Sequence, residues 1–219
     1  ANFADFDHDG DLDLFVANGD LNPNCMPMGD FYFENKGGRF EEWGRLKGVN
    51  DYGIGRGSVV FDIENDGDLD LLVVNQKPVL DGYPVPSTTR LFRNDHAKGN
   101  WIKIVLNGIN AESHGLGSKV EIVVDGKRQI REIDGGGSSH LSQNATYAHF
   151  GVGDAKEIDE IIVHWTGGKK QILKNQKVNQ VLKITEEESL NTGSFFLGGL
   201  VISIIGVAVF FYLRKKNKK

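Results

Sequence analysis

Over most of the chain, apolar residues come in short runs separated by glycine, and almost nowhere at helical spacing. Residues 101–106 (WIKIVL), 119–124 (KVEIVV), 161–165 (IIVHW) and 181–184 (VLKI) are rich in β-branched and aromatic side chains. That composition, bounded by turn residues, predicts strands. Asp125-Gly126 links two apolar runs, and Thr166-Gly167-Gly168-Lys169 links two more. Both are hairpin signals, because such residues tolerate the positive φ of a tight turn. The expected body is all-β.

The pattern changes near the C-terminus. Residues 195–213 (FFLGGLVISIIGVAVFFYL) carry no charge. As a helix they would span about 28 Å, close to the hydrocarbon core of a bilayer. Arg214, Lys215, Lys216, Lys218 and Lys219 follow at once. This predicts a single transmembrane helix with a cytoplasmic tail and residues 1–190 extracellular or periplasmic. The polar, acidic stretch before the span reads as a linker. The same tail is similar to a cell-wall sorting signal, although Ser189-Leu190-Asn191-Thr192-Gly193 lacks the proline of a sortase motif.

Composition adjusts this picture in a few places. Hydrophobic residues make up 39% of the 219 and charged residues 25%, enough apolar content for a packed core and against a wholly disordered chain. Glycine is abundant at 28 with only 5 prolines, and without a G-X-Y period it signals turns rather than collagen. Cys25 is the single cysteine, so no internal disulfide can form. The net charge of −5 includes the basic tail, so the body upstream is more acidic still. That argues against a nucleic-acid surface, which needs basic patches, and suits a protein that holds cations.

The cations have an evident place. Residues 5–18 (DFDHDGDLDLFVAN) return 57 residues later as 62–75 (DIENDGDLDLLVVN). Acids occupy alternate positions of each copy: Asp5, Asp7, Asp9, Asp11 and Asp13, then Asp62, Glu64, Asp66, Asp68 and Asp70. Unit charges about 4 Å apart interact by about 4 kcal/mol at an effective dielectric near 20, so five acids in nine residues repel unless neutralised. Calcium accepts 6–8 oxygens at flexible geometry and resolves the repulsion; magnesium demands a stricter octahedron. Gly10 and Gly67 permit the positive φ that wraps each loop. A single loop of this kind reads equally as a solvated acidic turn, but two with one spacing, each leading into an apolar strand, do not. An EF-hand is excluded because position 12 is Val16 or Val73 instead of glutamate and strands follow instead of helices. The acid at position 9 and the carbonyl at position 7 are expected to complete each shell. Glu64, one methylene longer than Asp7, makes the second cage looser.

These residues carry a family resemblance. YGIGRG at 52–57 followed by VVFDIENDGDLDLLVVN resembles an FG-GAP/VCBS repeat, the blade of integrin-type β-propellers. FYFENKGGRF at 31–40 and RLFRND at 90–95 resemble the strands that follow each calcium loop in that family. The resemblance implies about one and a half blades, a partial β-propeller, over residues 1–95. GNWIKIVLNG, GLGSKVEIVVDGKRQIREIDGGGSSHLSQN, HFGVGDAKEIDEIIVHWTGG and NQKVNQVLKI, in that order, resemble the ASPIC/UnbV domain over residues 96–186. At its lead-in, Ala111-Glu112-Ser113-His114 replaces the family's Ser-Asn-Arg. The implied organisation is blades, a compact antiparallel β domain, a linker at 187–194, the helix at 195–213 and a tail at 214–219. The combination is similar to extracellular proteins of the cartilage acidic protein type. Because Ala1 falls inside a motif, the chain is expected to be the C-terminal piece of a longer protein.

Catalytic patterns are weak. Ser138, Ser139 and His140 follow three glycines but match neither a nucleophile elbow nor a phosphate loop. His114, His140, His149 and His164 lack metal-ligand spacing, and Asn144-Ala145-Thr146 is a glycosylation sequon. The expected function is therefore non-enzymatic: a calcium-binding, membrane-anchored surface protein that engages a protein or glycan ligand, with no nucleic-acid partner. The alternative makes these blades the scaffold of a larger surface enzyme whose catalytic region lies elsewhere.

Overall fold

A computed structural model describes residues 1–19, 28–78, 87–134 and 141–188. The expected span at 195–213, the basic tail and the glycine-rich segment with Ser138, Ser139 and His140 lie outside the described residues. Among the described residues, no helix is long and apolar enough to cross a membrane.

The repeat in sequence becomes a repeat in topology. Strands β1 (Asn2–Ala4), β2 (Asp13–Val16), β3 (Phe31–Asn35) and β4 (Phe40–Glu42) form one antiparallel sheet in chain order. Strands β5 (Ile54–Phe61), β6 (Asp70–Gln76) and β7 (Arg90–Phe92) form a second in the same way. Each acidic loop is the connection between the first two strands of its sheet. The one helix among the described residues, α1 (Gly44–Lys47), is a single turn that stops where Gly48 takes φ 74°. The two sheets share a core of Ala4, Phe15, Tyr32, Val60, Leu69, Leu71 and Val73. No closed ring of blades forms among the described residues.

The second half is a two-sheet sandwich. Strands β8 (Asn100–Asn107), β9 (Lys119–Val124), β10 (Lys127–Glu132), β11 (Ala148–Gly153), β12 (Glu157–His164), β13 (Lys170–Lys177) and β14 (Gln180–Thr185) sort into orders β10-β9-β12-β13 and β11-β8-β14. The Asp125-Gly126 turn closes β9 onto β10 with φ of 49° and 75°, the paired positive values a two-residue hairpin needs. The glycine-rich turn at 166–169 likewise closes β12 onto β13. Strand pairing is antiparallel except that β14 runs parallel to β8. Ile102, Ile122, Phe150, Ile158, Ile161 and Val163 are fully enclosed between the sheets.

The β11-β8-β14 sheet has two working faces. Side chains alternate along a strand, so Ile102, Ile104 and Leu106 on β8, with Ala148, Phe150 and Val152 on β11, fill the sandwich core. Trp101, Lys103, His149 and Gly151 therefore face the other way, with Lys103 opposite His149 and Trp101 opposite Gly151 in register. That outer face meets the two acidic loops, and Ala1–Glu186 form one compact unit.

The sandwich core should carry much of the stability. Phe150→Ala is expected to cost about 3–5 kcal/mol, read as a lower urea midpoint with an unchanged slope.

Candidate metal centre

The two acidic loops are built from the same hydrogen bonds. At position 4, His8 and Asn65 have φ of 64° and 59°; at position 6, Gly10 and Gly67 have φ of 97° and 102°. The first acid of each loop accepts from the position-6 amide, Gly10 N to Asp5 Oδ2 at 3.0 Å and Gly67 N to Asp62 Oδ2 at 3.1 Å. The fifth-position acid turns the chain by accepting from the amide two residues on, Asp11 N to Asp9 at 2.8 Å and Asp68 N to Asp66 at 3.0 Å. The ninth-position acid ties the loop to the sheet. Asp13 accepts from Phe6 N and Asn35 N, and Asp70 accepts from Ile63 N and Asn94 N. Asp13 also accepts from the Tyr32 hydroxyl at 2.9 Å. Asp11 accepts from Gly37 N at 3.1 Å.

The loops then diverge. In the first, Asp5, Asp7 and Asp9 each present a carboxylate oxygen within 4.8 Å of the others. Asp5 is 1% exposed, and its Oδ1 has no hydrogen-bond partner among the described residues, while Oδ2 accepts from Gly10 N and Gly151 N. A buried oxygen without a donor costs free energy unless something positive meets it. Three carboxylates converging beside such an oxygen form a hard, oxygen-only donor set of the kind calcium takes. In the second loop, Asp62 Oδ2 also accepts from Lys103 Nζ at 2.7 Å, Oδ1 accepts from Asp66 N, and Glu64 lies 3.6 Å from the Arg93 guanidinium. The cluster of three seen in the first loop is not repeated there among the described residues.

Family comparison agrees with this division of the chain. Residues 5–73 match the FG-GAP-like repeat, and residues 108–191 match the ASPIC and UnbV family. Along the chain, the stretch similar to the FG-GAP-like repeat precedes the stretch similar to the ASPIC and UnbV family. Cartilage acidic protein 1 of Mus musculus is 29% identical over 195 residues, covering 83% of this chain and 28% of the relative. The Homo sapiens protein of that name is 29% identical with 27% of its length covered, and the Xenopus tropicalis one 27% identical with 28% covered. The chain thus spans little more than a quarter of the curated relatives it matches.

Several residues that hold the centre come from the sandwich strands, and no local signal in the sequence links them to the loops. Gly151 of the ASPIC/UnbV segment donates to Asp5 across 146 positions, and a Cβ there would sit 2.3 Å from the Asp5 carboxylate. Only glycine lets β11 approach so closely. The buried ring of His8 lies between the carbonyl oxygens of Gly67 at 3.1 Å and Gly99 at 3.2 Å. His149 also reaches Gly67 O, at 2.8 Å, and Trp101 stacks on its ring. Burial, with His8 adding to it, pushes His149 down to about 3, so the ring is neutral and donates through Nε2. The sequon residue Asn144 is used inside this joint: it donates to Asn2 at 2.9 Å and accepts from Val60 N at 3.1 Å. The strand patterns around Trp101 and Trp165 imply that both are core residues; Trp165 is, whereas Trp101 lies on the opposite face of its sheet and stacks on His149.

Burial dominates the electrostatics of the first loop. It pushes the Asp5 carboxyl up to about 7; the Arg131 guanidinium opposes this, and Asp9 and Asp7 add to it. Asp13 is pushed up to about 6, again by burial, against its bonds from Asn35 and Tyr32. Asp30 rises to about 7 through burial, against the bond from Asn18 N and with repulsion from Asp51. A carboxyl with a raised folded value favours folding fully below its unfolded value and loses that contribution as pH climbs through the folded one. In chelator, stability should therefore fall between about pH 4 and pH 7. Asp30→Asn, which removes one such charge and keeps an acceptor for Asn18 N, should flatten that fall, by up to about 4 kcal/mol in the limit of full burial. Urea midpoints across the range measure both.

Proposed function

We propose that this chain is part of a non-enzymatic, calcium-binding, membrane-anchored cell-surface protein that engages a protein or glycan ligand through a β-propeller built from FG-GAP blades. The observation that carries the reading is the convergence of Asp5, Asp7 and Asp9, in which buried Asp5 keeps one oxygen, Oδ1, without a hydrogen-bond partner among the described residues. Calcium would supply positive charge that orders an acidic loop which otherwise repels itself. Asp5 would hold the ion from the buried side, with Asp7 and Asp9 on the solvent side. Asp13 would keep the loop seated on β3. The extracellular setting is supported by the FG-GAP-like repeat and by the likeness to cartilage acidic protein 1. The apolar run at 195–213 supports the anchor.

Thermal unfolding of the 219-residue chain in detergent tests the metal. Calcium at 100 times its dissociation constant should add about 2.7 kcal/mol per site. Asp9→Asn should remove that gain. Because protonated Asp5 cannot serve the ion, the gain should be larger at pH 8 than at pH 5.5. An unchanged melting temperature at both values refutes the metal reading. For the anchor, the chain should stay with the membrane fraction after alkaline carbonate washing; release into the supernatant would refute it.

A further inference from the structure

The second loop already contains a cation. Lys103 is 3% exposed, on the blade-facing side of β8. Its Nζ lies 2.7 Å from Asp62 Oδ2 and 3.1 Å from Asn65 Oδ1, with the Tyr147 ring 5.2 Å away. The side chains of Lys103 and Asp62 are 4% and 0% exposed, so this is an ion pair removed from water. Such a pair persists only when remaining polar atoms are also satisfied. Here Asp62 Oδ2 takes the Gly67 amide, Oδ1 takes the Asp66 amide, and Asn65 gives Lys103 a second oxygen.

The contrast with the first loop is position by position. Asp5 and Asp62 are equivalent, but Asp5 Oδ1 has no partner among the described residues, whereas both oxygens of Asp62 are engaged. Position 3 is Asp7 in one loop and Glu64 in the other; Asp7 joins the cluster, and Glu64 faces Arg93. Position 4 is His8, which bridges to Gly67 and Gly99, or Asn65, which holds Lys103. Lys103 lies between the two family matches and inside neither.

We propose that Lys103 is the resident cation of the second loop, supplying to Asp62, in covalently attached form, the positive charge that a divalent ion supplies to Asp5, and confining ion binding to Asp5, Asp7 and Asp9. One loop is then ion-dependent and the other carries a fixed cation on its buried first acid, with the same ammonium pinning the β8 sheet to the FG-GAP-like repeat. The statement about ion number rests on the calcium reading of the first loop; the statement about Lys103 and Asp62 does not.

Two measurements on the 219-residue chain separate them. Equilibrium dialysis with calcium alone should give one ion per chain, none after Asp9→Asn, and still one after Asp66→Asn. Two ions per chain, one of them lost with Asp66→Asn, would overturn the proposal and leave the calcium reading intact. No ion at all would sink the calcium reading. In that event the ion pair is judged by melting in chelator, where no metal contributes. Lys103→Met and Asp62→Asn should each lower the melting temperature by roughly 6–20 °C, and the double variant by no more than the larger of the two. Additive losses would overturn the role given to Lys103 whatever the dialysis shows.

Discussion

A carboxylate that leaves water must find a cation or a set of N–H donors, and Asp5 and Asp62 face that demand in this protein. Each begins an acidic loop, each is covered by the sandwich, and each takes the same amide from position 6. Asp5 then meets the Gly151 amide and keeps one oxygen without a partner among the described residues, while Asp62 meets the ammonium of Lys103. The surrounding geometry follows from how these two charges are met. The close approach at Gly151 and the blade-facing Lys103 serve them directly.

The same contacts explain how blades that close no ring among the described residues come to be seated. Their loops are covered by a sheet whose other face belongs to a different core. On β8 and β11, alternate residues serve two neighbours: Ile102, Ile104 and Phe150 pack inward, and Lys103, His149 and Gly151 meet the loops. Tyr147 adds its ring to the blade core and its hydroxyl to the Asp62 amide. The FG-GAP-like repeat and the ASPIC/UnbV segment are in this sense one packed body, and the acidic loops are its joint.

Much of the architecture was legible because it is local. The runs at 101–106, 119–124 and 181–184 are strands, and 161–164 closes β12. Asp125-Gly126 is a hairpin turn because its two residues accept positive φ. The 57-residue repeat became two antiparallel sheets in chain order, of four and three strands, because identical spacing of acids and glycine makes the same turn twice. The parallel pairing of β14 with β8 was not legible, since partner choice among strands depends on contacts distant in sequence. The inequality of the loops was legible only in part, as the looser second cage expected from Glu64. Asp7 and Glu64 differ by one methylene on paper, but in the fold one joins a cluster and the other faces Arg93.

By itself the sequence determined that the body is all-β, that two acidic loops share one hydrogen-bonding scheme, and that Ile102, Ile104 and Leu106 point opposite to Lys103. These follow from side-chain period, turn chemistry and charge spacing, which act over a few residues. Only the tertiary structure decided that the Lys103 side is buried rather than wet, and that its charge falls on Asp62 rather than on Asp5. Burial and pairing of a charge depend on what covers it, and here the cover arrives from strands tens of residues away.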